Sequence, residues 1–207
     1  MSPTILAEHH SKSKLIVAAL DVVRAKGYNA TRIDDICAAA GVTKGSFFHH
    51  FESKDDLALA AAELWRMRAQ ACLAQTDPEA ADPVDQLFAY LDSRKAMMTG
   101  ELPDWTCFAG TMIQEVYATH PVLRDACQKT MSENAQALTE IITAAMRHRK
   151  IDAGWTAESL ARYIQTVIQG AIILAKGQDQ GQAETAHESM DHLRRYVELL
   201  FPRPKKS

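Results

Sequence analysis

The 207-residue chain has few aromatic residues, 7% in all, and no CxxC pair among its four cysteines, Cys37, Cys72, Cys107 and Cys127. Thiols scattered in this way exclude a zinc ribbon and argue against a disulfide scaffold. Apolar runs are short, as at Ala171–Ala175, far below the ~20 residues that a membrane helix needs. The opening stretch MSPTILAEHHSKSK has no secretory apolar core, so a cytoplasmic protein is expected. Nine glycines and seven prolines exclude a collagen-like or low-complexity chain. Catalytic signatures are lacking as well: there is no Ser-His-Asp arrangement, phosphate-cradling glycine loop or zincin motif. Glu184-x-x-His187 has the spacing of a di-iron helix, but no other Glu has a His three residues on, and that chemistry needs a second pair. No enzyme activity, metal or cofactor is expected.

Charge of one sign is also missing, with 23 Lys/Arg against 26 Asp/Glu. That near-balance hides an asymmetry. Residues 1–54 hold seven Lys/Arg against five Asp/Glu, and residues 55–207 hold sixteen against twenty-one. A mildly basic first quarter precedes an acidic remainder, which is compatible with a nucleic-acid partner.

What is present is the 3.6-residue period, almost everywhere. Ser11 to Lys26 places Leu15, Ala18, Ala19, Val22 and Val23 on one face and stops at Gly27. Thr31 with Asp34 reads as a capping box opening a short helix to Ala40. Gly41 ends it, and Thr43 caps a second short helix to about Phe51. Ser53 with Asp56 opens a longer one. A linker is expected over 76–82, where Asp77-Pro78 and Asp82-Pro83 break the chain. Helices then follow over Pro83 to about Thr99, Trp105 to about Ala118, Pro121 to Arg149, Thr156 to Lys176 and Thr185 to Phe201, before a frayed basic tail. The prediction is an all-α protein of about nine helices.

Two short helices around a glycine turn, the second polar at its start, fit a helix-turn-helix. Ala38, Ala39 and Ala40 are expected to let the two approach closely, with Ile33, Ile36, Val42 and Phe47 packing inward. The ordered elements Gly27-Tyr28, Thr31-x-x-Asp34-x-Ile36, Ala40-Gly41-Val42, Lys44-Gly45-Ser46, His49-His50-Phe51 and Ser53-Lys54 resemble the DNA-binding domain of the TetR family of bacterial transcriptional regulators. The resemblance implies a helix-turn-helix domain over residues 1–54 and a larger helical ligand-binding and dimerisation domain over residues 55–207. It implies phosphate contacts from Thr31, Arg32 and Lys54, and backbone or base contacts from Thr43 and Lys44, with Gly45 allowing close approach. It places Ser46, His49 and His50 on the groove side. Where the family commonly has a Tyr whose hydroxyl meets phosphate, this chain has Phe48. Phe47 and Phe51 are expected in the core.

Family likeness further implies a homodimer on a palindromic operator, paired through the last two helices. The residues expected there are Ile164, Val167, Ile168, Gly170, Ala171 and Leu174, with Leu193, Tyr196, Val197 and Leu200. A small-molecule inducer is implied in the larger domain, where bulky apolar candidates are Trp65, Phe88, Met97, Met98, Trp105, Phe108, Met112 and Tyr117. Gln165 and Gln169 would add polar specificity. Cys107 sits just after an expected helix start, and Cys107-x-x-Gly110-x-x-x-x-Glu115 is similar to an electrophile-sensing branch of the family. An alternative is therefore a thiol-switched repressor. A different-class alternative is a helical carrier that no longer binds DNA, with Phe48 as its hint.

Overall fold

A computed structural model describes residues 3–74 and 82–202 of the chain, with side chains from His10 to Cys72 in the first stretch. Ten α-helices and no strand occur among the described residues: α1 (Pro3–Lys26), α2 (Ile33–Ala40), α3 (Lys44–His50), α4 (Lys54–Ala74), α5 (Pro83–Ala96), α6 (Leu102–Trp105), α7 (Phe108–Val116), α8 (Pro121–Arg149), α9 (Ala157–Lys176) and α10 (Gln182–Leu200). The expected linker, apart from Asp82, and the end of the basic tail lie outside the described residues.

Local chemistry explains most boundaries. Thr43 Oγ1 accepts from Ser46 N at 3.2 Å, and Ser53 Oγ from Asp56 N at 3.1 Å, each satisfying a donor that the first helical turn leaves open. Asp82 accepts from Val84 N at 2.9 Å ahead of Pro83. Thr156 and Ser159 form a reciprocal capping box at the start of α9. Four boundaries differ from the sequence expectation. Helix α1 starts at Pro3, ahead of Ser11. The first cap of α2 is Arg32, whose N–H donates to Asp35 Oδ2 at 2.8 Å; the expected Thr31–Asp34 box does not form. The helix expected from Trp105 begins only at Phe108, as α7, because Cys107 is extended and its Sγ caps Gly110 N at 3.3 Å. A separate four-residue helix, α6, precedes it where a break was expected, which gives ten helices rather than nine. The last helix starts at Gln182, after Gly181 in a left-handed conformation, instead of at Thr185.

The described chain divides into two compact units. The first comprises the residues up to Ala69 together with Thr106–Met131. Leu15, Leu20 and Val23 of α1, Ile36 of α2, Phe47 of α3 and Leu57 of α4 share its core with Phe108, Met112 and Val116 of α7 and Leu123 of α8. The helix-turn-helix is therefore packed on a platform that includes α7 and the first turns of α8. The sequence division at residue 54 falls at the first residue of α4. The second unit contains α5, α6, the rest of α8, and α9 packed against α10. There, Leu160, Ile164, Ile168 and Ile172 of α9 and Met190, Leu193 and Val197 of α10 are buried. No helix among the described residues is long and apolar enough to cross a membrane.

One glycine is fixed by more than its turn. Gly27 has φ +86°, and a Cβ there would lie 2.1 Å from Glu115 Oε1. The left-handed conformation alone costs an L-residue ~1–2 kcal/mol, and the carboxylate must also move. Gly27→Ala is expected to lower Tm by several degrees in thermal denaturation, about 2–4 °C for each kcal/mol. The double variant Gly27→Ala/Glu115→Ala should not recover the conformational part; full recovery would refute the role given to φ.

Candidate nucleic-acid interface

The turn between α2 and α3 is closed by Gly41 in a left-handed conformation, with its N–H donating to Ala38 O and Val42 N to Cys37 O. Phe47, fully buried, and Phe51, 3% exposed, fasten the inner side of α3 to the first unit's core. Ala38 and Ala39 are exposed, so of the three alanines only half-buried Ala40 packs inward, beside the glycine turn and the buried Cys37. Burial pushes the Cys37 thiol pKa up.

The outer side of α3 and its cap presents Thr43, Lys44, Gly45, Phe48 and His49 as exposed residues, with Ser46 and His50 half-buried. Lys44 Nζ pairs with Asp34 at 2.8 Å, and Arg32 is exposed at the start of α2. The beginning of α1 reaches the end of α3: Ser11 Oγ lies 2.7 Å from His50 Nε2, and Lys12 Nζ sits 5.5 Å from the Phe51 ring centre. Ser11 and Lys12 were not singled out from sequence, and only the Ser11-Lys12-Ser13-Lys14 run could have signalled them.

Two expected contacts are corrected. Thr31 is 1% exposed, and its hydroxyl donates to Gly27 O at 2.5 Å, so that hydroxyl braces the turn after α1 and does not face outward. Lys54 Nζ donates to Tyr28 O at 3.0 Å and to Thr31 O at 3.1 Å. It lies 4.1 Å from the Tyr28 ring centre. This ammonium is held by internal carbonyls, where partial burial lowers its pKa, and it is not poised as an outer phosphate clamp.

Around these two residues runs a network that sequence reading missed. The Tyr28 hydroxyl donates to Asp55 Oδ1, whose other oxygen lies 3.8 Å from His120 Nε2. The His120 ring meets Tyr28 edge-on at 5.6 Å. Glu115 Oε2 accepts from Asn29 N at 2.7 Å. The turn that launches α2 is thus tied to the start of α4 and to the α7–α8 turn. Glu115 was legible only as the end of the Cys107 motif, and nothing in the sequence paired it with residue 29.

The other expected sites distribute unevenly. Trp65, Cys107, Phe108 and Met112 belong to the first unit's core, with the Trp65 and Phe108 rings 6.2 Å apart. Phe88, Met98 and Trp105 are buried in the second unit; Phe88 lies under the Arg194 guanidinium at 4.7 Å, and Met98 O meets His187 Nε2 at 2.8 Å. Gln165 and Gln169 are half-buried on α9. Met97 and Tyr117 are exposed, Tyr117 by 64%, so neither lines a core. In the dimer set, Ile164, Ile168, Ala171, Leu193 and Val197 are buried within the chain itself, which removes them from an outer face. Val167, Gly170 and Leu200 are half-buried and Leu174 and Tyr196 exposed, and the outer face adds Tyr163, Ile173 and Leu199. No group of three His, Cys, Asp or Glu among the described residues is placed to hold a metal ion.

Known proteins share this fold. The model of "Bacterial regulatory proteins, tetR family" matches residues 15–61, and that of "Tetracyclin repressor-like, C-terminal domain" matches residues 83–192, more than half the chain. The chain belongs to the tetR family of bacterial regulatory proteins. Among relatives of this family, it is 35% identical to the HTH-type transcriptional regulator CymR of Pseudomonas putida over 128 residues, 60% of this chain and 59% of that protein. It is 29% identical to the transcriptional regulator AcuR of Cereibacter sphaeroides over 78% of this chain and 74% of that one. A tetR-family regulator of Agrobacterium tumefaciens shares the fold, with TM-score 0.82 at 20% identity, over 91% of this chain and 98% of that one. These matches support a DNA-binding transcriptional regulator of the tetR family. Neither the carrier alternative nor the thiol-switch alternative draws support from them.

Within the first unit of this tetR-family chain, the Tyr28–Asp55 hydrogen bond joins the turn after α1 to the start of α4. Burial, and then the Asp55 carboxylate, raise the tyrosine pKa above its ordinary 10.0. A raised folded pKa means that the stability tied to this proton is intact below about pH 10 and is lost as pH rises further. Wild type should lose Tm above pH 10 more steeply than Tyr28→Phe. In a double-mutant cycle, Tyr28→Phe and Asp55→Asn should couple by about 1 kcal/mol. Additive effects would show that the pair contributes nothing as a pair.

Proposed function

We propose that the chain is a homodimeric repressor that reads a palindromic operator through α3 and releases it when a small molecule binds the larger domain. Residues 1–54 serve as the reading head and residues 55–207 as the ligand-binding and dimerisation body, working in the cytoplasm with no catalytic step. The observation that carries this reading is the outer face of α3. It is a capped seven-residue helix, anchored from behind by buried Phe47 and Phe51, that leaves Lys44, Gly45, Phe48 and His49 exposed. Short and hydrogen-bonding side chains on a rigidly held helix suit a major groove. Arg32 and Lys44 supply phosphate or base contacts, and Lys12 joins them from α1.

One such helix reads only a few base pairs, so a second copy is needed at a spacing of one helical turn or a multiple. The outer apolar face of α9 and α10 fits that second copy. Ile173, Leu174 and Leu199 are exposed there by 47%, 62% and 80%, and the Tyr163 and Tyr196 rings meet at 5.2 Å. Exposed apolar residues gathered on two packed helices in this way fit a partner surface.

The ligand part of the proposal rests on buried polar atoms with nothing to bond. In the second unit these include Trp105 Nε1 and Asn134 Oδ1. Leaving such a group unsatisfied costs about 1–3 kcal/mol, which a polar ligand atom relieves. Release needs the ligand to prefer the non-binding arrangement by a coupling of about 1–3 kcal/mol.

Gel shift against the intergenic DNA upstream of the coding region tests the whole reading, and absence of salt-sensitive binding sinks it. Leu174→Glu combined with Leu199→Glu should sediment as a monomer and lose operator binding; a variant that stays dimeric refutes the α9–α10 interface. Arg32→Ala should flatten the slope of log K against log salt by about 0.9 for each phosphate that is no longer neutralised. Lys54→Ala should leave the slope unchanged and lower Tm instead, because its bonds are internal. Equal slope changes in the two variants would return Lys54 to the phosphate-binding set.

A further inference from the structure

We infer that Phe48 is a specificity-determining residue that packs its ring against the 5-methyl group of thymine in each operator half-site. The inference rests on the operator-reading role proposed for α3 and deepens it.

Helix α3 has two phenylalanines, Phe47 and Phe48, and a third, Phe51, follows at its cap; two of the three suffice to hold it. Phe47 and Phe51 are 0% and 3% exposed, whereas Phe48 is 56% exposed. Nothing on its own helix screens it. Gly45, one turn earlier, carries no side chain, and a Cβ built there would meet only Thr43 Oγ1, at 3.7 Å. Lys44, four residues earlier, has its ammonium drawn to Asp34 at 2.8 Å. The exposed ring is nonetheless held in place, edge-on to buried Phe47 at 5.1 Å and 80°. A supported aromatic ring loses little freedom on binding.

The side chain has no heteroatom, so it can bond neither a phosphate nor the donor and acceptor atoms of the base edges. Among the groups that base pairs present in the major groove, the thymine methyl is the apolar one, and phenylalanine is among its known partners. An outward phenylalanine on a reading helix therefore selects thymine by apolar contact, at a position where a polar residue would select by hydrogen bonding.

The experiment begins by selecting duplexes from a randomised DNA pool with the wild-type protein. In the enriched sequence each thymine is then replaced in turn by deoxyuridine, which differs only in lacking the methyl group. One thymine in each half-site should be sensitive, with affinity falling about four-fold per half-site for wild type, the worth of one buried methyl. For Phe48→Ala the same replacement should change nothing. Phe48→Leu, which keeps an apolar side chain, should retain part of the sensitivity. Both variants should melt as wild type does, since the ring is exposed. Indifference of wild type to every replacement overturns the inference while leaving the operator reading standing, and so does undiminished sensitivity in Phe48→Ala. If no sequence is enriched from the pool, the operator reading fails and this inference fails with it.

Discussion

The ring of Tyr28 is 2% exposed, and each part of it has a partner. Its hydroxyl donates to Asp55, the Lys54 ammonium lies over its face, and His120 meets it edge-on. Its own carbonyl accepts from Lys54. Through this one side chain the turn after α1 is joined to the start of α4 and to the α7–α8 turn. The turn in turn sets where α2 begins, and α2 with Gly41 sets where α3 points. A reading helix of seven residues cannot hold itself, since isolated helices shorter than ~12–15 residues are marginal in water. Its aim comes from the packing and hydrogen bonds behind it.

The same economy governs charge in the first unit. Asp34 pairs with Lys44, Asp35 with Lys26 and with the Arg32 N–H, Asp55 with Tyr28, and Asp56 with the Glu52 N–H. Lysine bonding holds the Asp35 carboxyl below the usual carboxylate range. The acidic residues of the head thus act mainly as caps and braces within it. Arg32, Lys12 and Lys14 remain exposed. Pairs this open to solvent are each worth little; their effect is to orient cations, not to stabilise the fold.

Much of this was legible from sequence. The caps at Thr43, Ser53 and Thr156 are side-chain chemistry acting within three residues, so spacing alone announced them. The stop at Gly41 and the burial of Phe47 and Phe51 follow from turn geometry and helical period in the same local way. Where sequence reading went astray, the deciding partner lay outside the pattern being read. Thr31 has the composition of a cap for the helix that follows it, but its hydroxyl turns back to Gly27 O, in the turn before it. Lys54 has the look of a phosphate ligand, but its partners are the carbonyls of residues 28 and 31. On α9 and α10 the apolar period was clear, yet it marks two sides at once. Period alone cannot tell Ile168, which faces its own chain, from Leu174, which faces out. The break at Cys107 escaped notice because a thiol is an uncommon cap.

Gly27 and Glu115 stand 88 positions apart, yet the carboxylate of one occupies the place where the other would carry a β-carbon. Asp55 and His120 repeat the arrangement across another long stretch of chain. The segment over 106–131 is therefore a structural part of the first unit, although it is encoded far downstream of the helix-turn-helix. Anyone building a biosensor by grafting a foreign head onto this regulator will sever the Gly27–Glu115 pairing by cutting at residue 54, while Asp55 and His120 stay together on the retained part. A transplant that is cut beyond Asp55 and carries the later segment along keeps both pairings.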